Sequence, residues 1–119
     1  MYCVPTALSI ITGQPYDSCV SQIQRFLGDI PIKGVYIPIA VKILRDNGFI
    51  VEQRGEGGWA LNKFKATKGL FLVEINRHAI VIRDGKLYDN NHPQGTYNLP
   101  KSRVVRCYEV AKGQYDYLG

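Results

Sequence analysis

Three residues, Cys3, His78 and Asp89, have the functional groups that a thiol-based catalyst needs. A thiol attacks a carbonyl carbon as thiolate, which forms more easily at a helix N-terminus or beside an imidazole. Cys3 comes directly before an apolar helical pattern, so its sulfur is expected at such a terminus, close to backbone N–H groups that stabilise an oxyanion. The sequence therefore predicts Cys3 as a nucleophile. The alternative is a small apolar residue that only packs at the end of the helix.

A predicted hairpin brings His78 close to an acidic residue. The Asp84-Gly85 pair is a strong signal for a two-residue turn, here between strands over residues 78–83 and 86–90. Opposed residues share a face of a sheet, and so do residues two apart along a strand, which places His78 and Asp89 on one side. Their diagonal separation of about 7–8 Å is one that two side chains can close.

A carboxylate beside an imidazole holds the ring in one tautomer and stabilises its charged form, as the third member of a catalytic triad does. Asp89 is the candidate for this role towards His78, with Asn91 on the same face and Asn90 pointing away. The alternative for His78 is a structural histidine within the sheet. The second histidine, His92, precedes Pro93, and we expect it in an exposed loop.

Helical patterns fill the first half of the chain. Apolar residues recur at helical spacing from Val4 to Ile11, and Gly13 marks the end of this first helix. Asp17 is the expected N-cap of a second helix, which ends at Gly28. A third helix is predicted from Pro38, with Gly48 as its stop.

Strand patterns fill the second half. Strands are predicted over residues 49–54, 70–75, 78–83, 86–90 and 103–110, with a short helix or turn over residues 59–64. Helices followed by an antiparallel sheet make α+β the expected fold class. The 119 residues are enough for one domain, with a helical half over residues 1–48 and a mainly β half over residues 49–119.

Composition and charge are those of a globular domain, and the sequence shows no pattern of a membrane span, a signal peptide or a metal site. An apolar content of 45% and a net charge of +5 at pH 7 are ordinary for a globular domain. No apolar run approaches the roughly 20 residues that span a bilayer, and the first residues lack the pattern of a signal peptide, so we expect a cytoplasmic protein. The three cysteines and two histidines show no metal-binding spacing, so no metal and no cofactor are predicted.

The sequence resembles the papain-like cysteine peptidases, most closely the C39-type peptidases and C39-like proteins of bacteria and phages. Residues 3–13, CVPTALSIITG, match the helix that carries the nucleophile, and residues 34–49 resemble the helices that follow it. His78 and the strand after it, through Asp89, match the histidine strand and its acid. The resemblance implies a single papain-like domain over residues 1–119, a peptide or protein substrate, and attack by a Cys3 thiolate. It also implies that His78 is the general base and acid, and that Asp89 orients it.

One feature of these peptidases has no counterpart at the expected place. A glutamine several residues before the cysteine usually completes the oxyanion hole, and only Met1 and Tyr2 precede Cys3. Either the natural chain extends before Met1, or Gln14 or Gln22 supplies the donor, or the site is weak.

Two other functions are therefore weighed against a peptidase. One is a weak or inactive peptide-binding module on the same fold. The other is binding of nucleic acid near Trp59. It is less favoured, because four basic residues that are spread along the chain usually form a solvated surface: Arg54, Lys63, Lys65 and Lys68. The sequence predicts no membrane partner and sets no oligomeric state.

Overall fold

The computed structural model describes residues 2–33, 36–55 and 57–113 of the chain. In this part the chain forms helices first and an antiparallel sheet second, which confirms the α+β class. Residues 34 and 35 of the block that resembles the peptidase helices lie outside the described residues. The elements in chain order are α1 (Cys3–Thr12), α2 (Tyr16–Leu27), α3 (Ile37–Asp46), β1 (Phe49–Gln53), a 3₁₀ helix (Leu61–Ala66), β2 (Leu70–Ile75), β3 (His78–Arg83), β4 (Lys86–Asp89), β5 (His92–Thr96) and β6 (Val104–Lys112).

The helices end where glycine or a polar residue interrupts the apolar pattern. Helix α1 begins at Cys3 and ends before Gly13, whose φ of +76° is the left-handed conformation that favours glycine. The predicted cap of α2 is wrong, because the helix begins at Tyr16 after Pro15. Asp17 therefore lies within the first turn, where its negative charge interacts favourably with the positive end of the helix dipole.

Six strands form one antiparallel sheet in the order β1-β6-β2-β3-β4-β5. Between β3 and β4 the pairing follows the predicted register, with Arg83 opposite Lys86 and Ile82 opposite Leu87. The Asp84-Gly85 turn between them has φ values of +50° and +82°, as a two-residue hairpin turn requires. A second turn of left-handed residues, 76 and 77, joins β2 to β3 and makes His78 the first residue of its strand.

Strand β5 was not expected from the sequence. It pairs with β4 at the edge of the sheet, where Asp89 lies opposite His92. Its five residues, HPQGT, have no apolar alternation, and proline is tolerated only because the strand is at an edge. Strand β6 also continues to Lys112, two residues beyond the predicted range.

The sheet separates two apolar cores. On one face the three helices cover β3 residues Ala79 and Val81. On the other face Ile80 and Ile82 pack with the 3₁₀ helix and β6. Because side chains alternate along a strand, His78 belongs to the row of Ile80 and Ile82, on the face away from the helices.

Within the described residues, no helix combines the length and the apolar character needed to cross a bilayer.

The hairpin turn before β4 is expected to be sensitive to any added side chain. At Gly85 a Cβ atom would lie 2.8 Å from the backbone oxygen of Lys65, in addition to the strain of a positive φ. At Gly13 the φ is also positive, yet no heavy atom lies within 4 Å of the added Cβ. We predict that Gly13→Ala lowers the free energy of unfolding by about 1–2 kcal/mol.

We expect Gly85→Ala to cost more, because the backbone of the 3₁₀ helix must also move. Urea unfolding of both variants, followed by circular dichroism, measures the difference. Equal losses in the two variants would show that the hairpin does not pack against the 3₁₀ helix as described.

Candidate active site

The carboxylate of Asp89, at the end of β4, is the buried acceptor around which the candidate site is arranged. Its Oδ2 atom accepts a hydrogen bond from Nε2 of His78 at 2.9 Å. Its Oδ1 atom accepts from Nδ1 of His92 at 3.0 Å, and from the backbone N–H groups of Asn91 and His92 at 3.0 and 2.8 Å. Both carboxylate oxygens thus accept hydrogen bonds from protein groups, and the side chain is only 7% exposed to solvent.

These hydrogen bonds determine the charge of Asp89. Burial by itself would raise the pKa of Asp89, but the hydrogen bonds from His78, His92 and the N–H of Asn91 hold that pKa below its ordinary value. The carboxyl group is therefore ionised at neutral pH and can only accept hydrogen bonds. The proton of neutral His78 accordingly lies on Nε2, which leaves Nδ1 as the basic nitrogen.

Two turns place these groups. Residues 76 and 77 close the β2–β3 turn, so His78 begins β3 at the end of the sheet at which the antiparallel strand β4 finishes. The turn after Asp89 directs two backbone N–H groups back to its carboxylate, a local arrangement typical of aspartate. The structure thus brings His78 and Asp89 together, and Asn91 contributes its backbone N–H to the same carboxylate.

Sequence reasoning missed the part played by His92. Its side chain is 49% exposed, as expected, but the residue begins a strand instead of lying in a loop, and its ring binds Asp89. A histidine three residues after an aspartate, across a tight turn, was the available signal. The proline that follows His92 favours a loop and conceals this signal.

Cys3 lies on the helical side of the sheet. It is the first residue of α1, is half-buried and packs against the helical core. Helix α1 lies against β3 and β4, the strands that carry His78 and Asp89. The sulfur is not part of the hydrogen-bonded group at Asp89, because His78 extends from the opposite face of the strand.

The first turn of α1 offers backbone donors next to the sulfur. The N–H of Thr6 is used by the carbonyl of Tyr2, and Pro5 has no N–H. The N–H groups of Cys3 and Val4 have no partner within the helix, as is general for a first turn. They are the donors that α1 can offer to an anionic oxygen beside Cys3.

Two grooves meet at Asp89. One, of about 510 Å³, is lined by His78, Asp89 and His92, with an apolar floor and Lys101 at its rim. The other, of about 340 Å³, lies between Asp89 and the side of α1 that carries Thr6. Asp89 therefore lines a groove on each face of the sheet, one beside the histidines and one beside helix α1.

Gln14 and Gln22, the sequence candidates for an oxyanion donor, lie away from Cys3. The amide of Gln14 donates to Asn47, Asn47 donates to Gln22, and Gln22 donates back to Gln14, at 2.6 to 2.9 Å. Gln14 follows the C-terminal end of the ten-residue helix α1, about 15 Å from the end that carries Cys3. This closed ring of amides joins the three helices, so the structure does not place either glutamine beside the thiol.

All three cysteines are free thiols. Burial raises the pKa of Cys19, and raises that of Cys107 to about 12, so neither forms a thiolate readily. Among the residues that the structure describes, no group of three His, Cys, Asp or Glu side chains is arranged to hold a metal ion.

Comparison with known proteins gives no match. No protein-family model matches the chain, and no curated protein or solved structure is significantly similar to it.

The stability of the protein should depend on Asp89 in acid. A carboxyl group whose pKa is lower in the folded state stabilises the fold above its unfolded pKa of about 3.9, and this stabilisation is lost as the pH falls through the folded pKa. We predict that Asp89→Asn lowers the free energy of unfolding by about 2 kcal/mol at neutral pH. The loss should shrink between pH 5 and pH 2.5, as wild type loses the same contribution.

Asp46→Asn is the matched control, because Asp46 is a half-exposed carboxylate paired with Lys42 on the surface of α3. Urea unfolding across the acid range checks the prediction. An Asp89→Asn variant with the same acid sensitivity as wild type would contradict the role of the buried carboxylate.

The three thiols should differ in reactivity. At neutral pH we predict that iodoacetamide modifies Cys3 more than about tenfold faster than Cys19 or Cys107, because the latter two are buried and resist ionisation. Mass mapping of the labelled peptides gives the three rates. In denaturant the rates should converge, and equal rates in the folded protein would count against Cys3 as the reactive thiol.

Proposed function

We propose that this protein is a papain-like thiol hydrolase that cleaves peptide or isopeptide bonds. Cys3 is the nucleophile, His78 the general base and acid, and Asp89 the residue that orients the imidazole. The observation that carries the proposal is the hydrogen bond of 2.9 Å between Nε2 of His78 and the buried carboxylate of Asp89. It supports the proposal because it leaves Nδ1 of the ring as a base and stabilises the imidazolium that a proton transfer would form.

The proposed reaction proceeds in two halves. Nδ1 of His78 takes the proton of the Cys3 thiol as the sulfur bonds to the substrate carbonyl carbon. The imidazolium then gives that proton to the leaving amine as the C–N bond breaks, which leaves a thioester on Cys3. In the second half His78 removes a proton from water as its oxygen attacks the thioester. The C–S bond breaks, the acid product leaves, and the proton returns to sulfur.

The negative charge on the carbonyl oxygen needs donors close to the sulfur. The N–H groups of Cys3 and Val4, in the first turn of α1, fit this role because the helix uses neither of them. A side-chain amide in the position of the usual glutamine is not required for these two donors to act, although its absence would slow the reaction. Each donor of this type contributes about 10²–10³ to the rate in enzymes of known mechanism.

The reaction requires that the sulfur and the ring meet at the end of the sheet where β3 begins and β4 finishes. Cys3 is the first residue of α1, the helix that lies against β3 and β4. His78 reaches this end of the sheet from the other face, as the first residue of β3. Asp89 lines the grooves on both sides of this end of the sheet, so an extended peptide that crossed it would pass His78 and the side of α1 that carries Thr6.

A peptide-binding module without turnover is the second candidate. It is favoured by the amide ring that holds Gln14 and Gln22 away from Cys3, and by the separate faces of the sheet from which the thiol and the ring extend. Such a module would use the two grooves for binding only. Substitution of Cys3 would then leave its affinity for peptides unchanged.

Hydrolysis of fluorescein-labelled casein and of a mixed synthetic peptide library tests the proposal. We predict turnover by wild type and by the surface control Asp46→Asn. We expect Cys3→Ala to lose it entirely and His78→Ala to lose about 10²–10⁴ of the rate. Product masses identify the bond that is cut.

Peptide binding by Cys3→Ala, measured by fluorescence polarisation, separates the two candidates. Binding together with turnover in wild type supports the hydrolase. Binding that Cys3→Ala leaves intact, without turnover in wild type, overturns the hydrolase in favour of the binding module, and neither activity would contradict both.

A further inference from the structure

The two oxygens of the Asp89 carboxylate have unequal environments. Oδ1 accepts from three donors, of which two are backbone N–H groups and the third is Nδ1 of His92. Oδ2 accepts from Nε2 of His78. The four donors match the roughly four acceptor sites of an ionised carboxylate. In this orientation the carboxylate presents Oδ2 to the ring of His78.

We propose that His92 is a positioning residue for His78 and acts through Asp89. By donating its Nδ1 proton to Oδ1, the ring of His92 fixes the orientation of the carboxylate and so the tautomer of His78. The catalytic consequence rests on the proposed thiol hydrolase, whereas the effect on the tautomer does not depend on any activity. His92 itself has no contact with Cys3 in this arrangement and is not a catalytic residue.

His92 adds a side-chain donor to the two backbone donors. The N–H of Asn91 comes from the turn that follows Asp89, whereas His92, the first residue of β5, supplies both its backbone N–H and its ring, and the ring completes the set of donors to Oδ1. The ring is half-exposed while the carboxylate beneath it is buried, so it also covers the carboxylate against solvent. Without the ring, water can reach the carboxylate and compete with His78 for Oδ2.

A purely structural role for His92 makes a different prediction. The pair of Asp89 and His92 also closes the β4–β5 turn, so any substitution of His92 could lower stability without changing His78. Asn is the conservative substitution, because its side-chain N–H can occupy the place of Nδ1 and donate to Oδ1. Ala and Val have no donor, and Val suits a strand if Ala unfolds the edge.

The test is ¹⁵N NMR of the His78 ring in the full chain at neutral pH. In wild type and His92→Asn we predict ring shifts of a single tautomer, protonated at Nε2. In His92→Ala and His92→Val we predict averaging towards a mixture of both tautomers and faster exchange of the ring proton with solvent. Urea unfolding of the same variants measures stability separately.

Two results would overturn the proposal. One is a wild-type His78 spectrum in His92→Ala or His92→Val, whatever their stability. The other is a mixed tautomer in His92→Asn that matches the Ala variant, because the donor would then not be the cause.

Activity gives a separate readout. Hydrolysis should fall about tenfold in the Ala and Val variants and recover in His92→Asn, since an oriented base contributes part of the general-base effect. A wild-type protein that shows no hydrolysis, but whose His78 tautomer depends on residue 92 as predicted, would overturn the proposed function and support the role of His92.

Discussion

The burial of one ionised carboxylate constrains the whole candidate site. Removing a charge from water is unfavourable unless hydrogen bonds replace its hydration, and Asp89 has four such bonds. Two come from the backbone of a tight turn and two from histidine rings on neighbouring strands. The end of β4, the start of β3 and the start of β5 must therefore meet at one point, and this meeting fixes where His78 lies and which of its nitrogens is basic.

The two apolar cores hold the strands that position the site. Helices α1, α2 and α3 cover one face of the sheet, and the 3₁₀ helix with Trp59 and Leu99 covers the other. Cys3 belongs to the first side and His78 to the second. Asp89 lines grooves on both sides, and the proposed reaction needs groups from both sides to act on one substrate there. In this respect the thiol hydrolase and the peptide-binding module differ only in whether the sulfur reaches the ring.

Local signals in the sequence account for the elements that were predicted well. The Asp84-Gly85 turn fixed the register of β3 and β4, and from that register followed the approach of His78 to Asp89. Gly13 marked the end of α1 for the same kind of reason, since only a residue without a side chain adopts its conformation at no cost. Where one residue restricts the backbone, the sequence is informative.

Features that depend on distant packing were not predictable. Strand β5 has neither apolar alternation nor β-branched residues at its start, and it becomes a strand by pairing with β4 at the edge of the sheet. The amide ring of Gln14, Gln22 and Asn47 depends on how three helices meet, which no spacing along the chain reveals. The opposite faces of Cys3 and His78 likewise follow from which row of β3 the helices cover.

The dependence of Cys3 reactivity on His78 tests the central claim most directly. The rate of alkylation of Cys3 by iodoacetamide is measured from pH 4 to pH 9 in wild type and in His78→Ala. If the ring and the sulfur form one catalytic pair, wild type reacts well below the ordinary thiol range near pH 8.5, and His78→Ala loses this reaction at low pH. Identical pH profiles in the two proteins would contradict the claim and leave Asp89 and His78 as a structural pair.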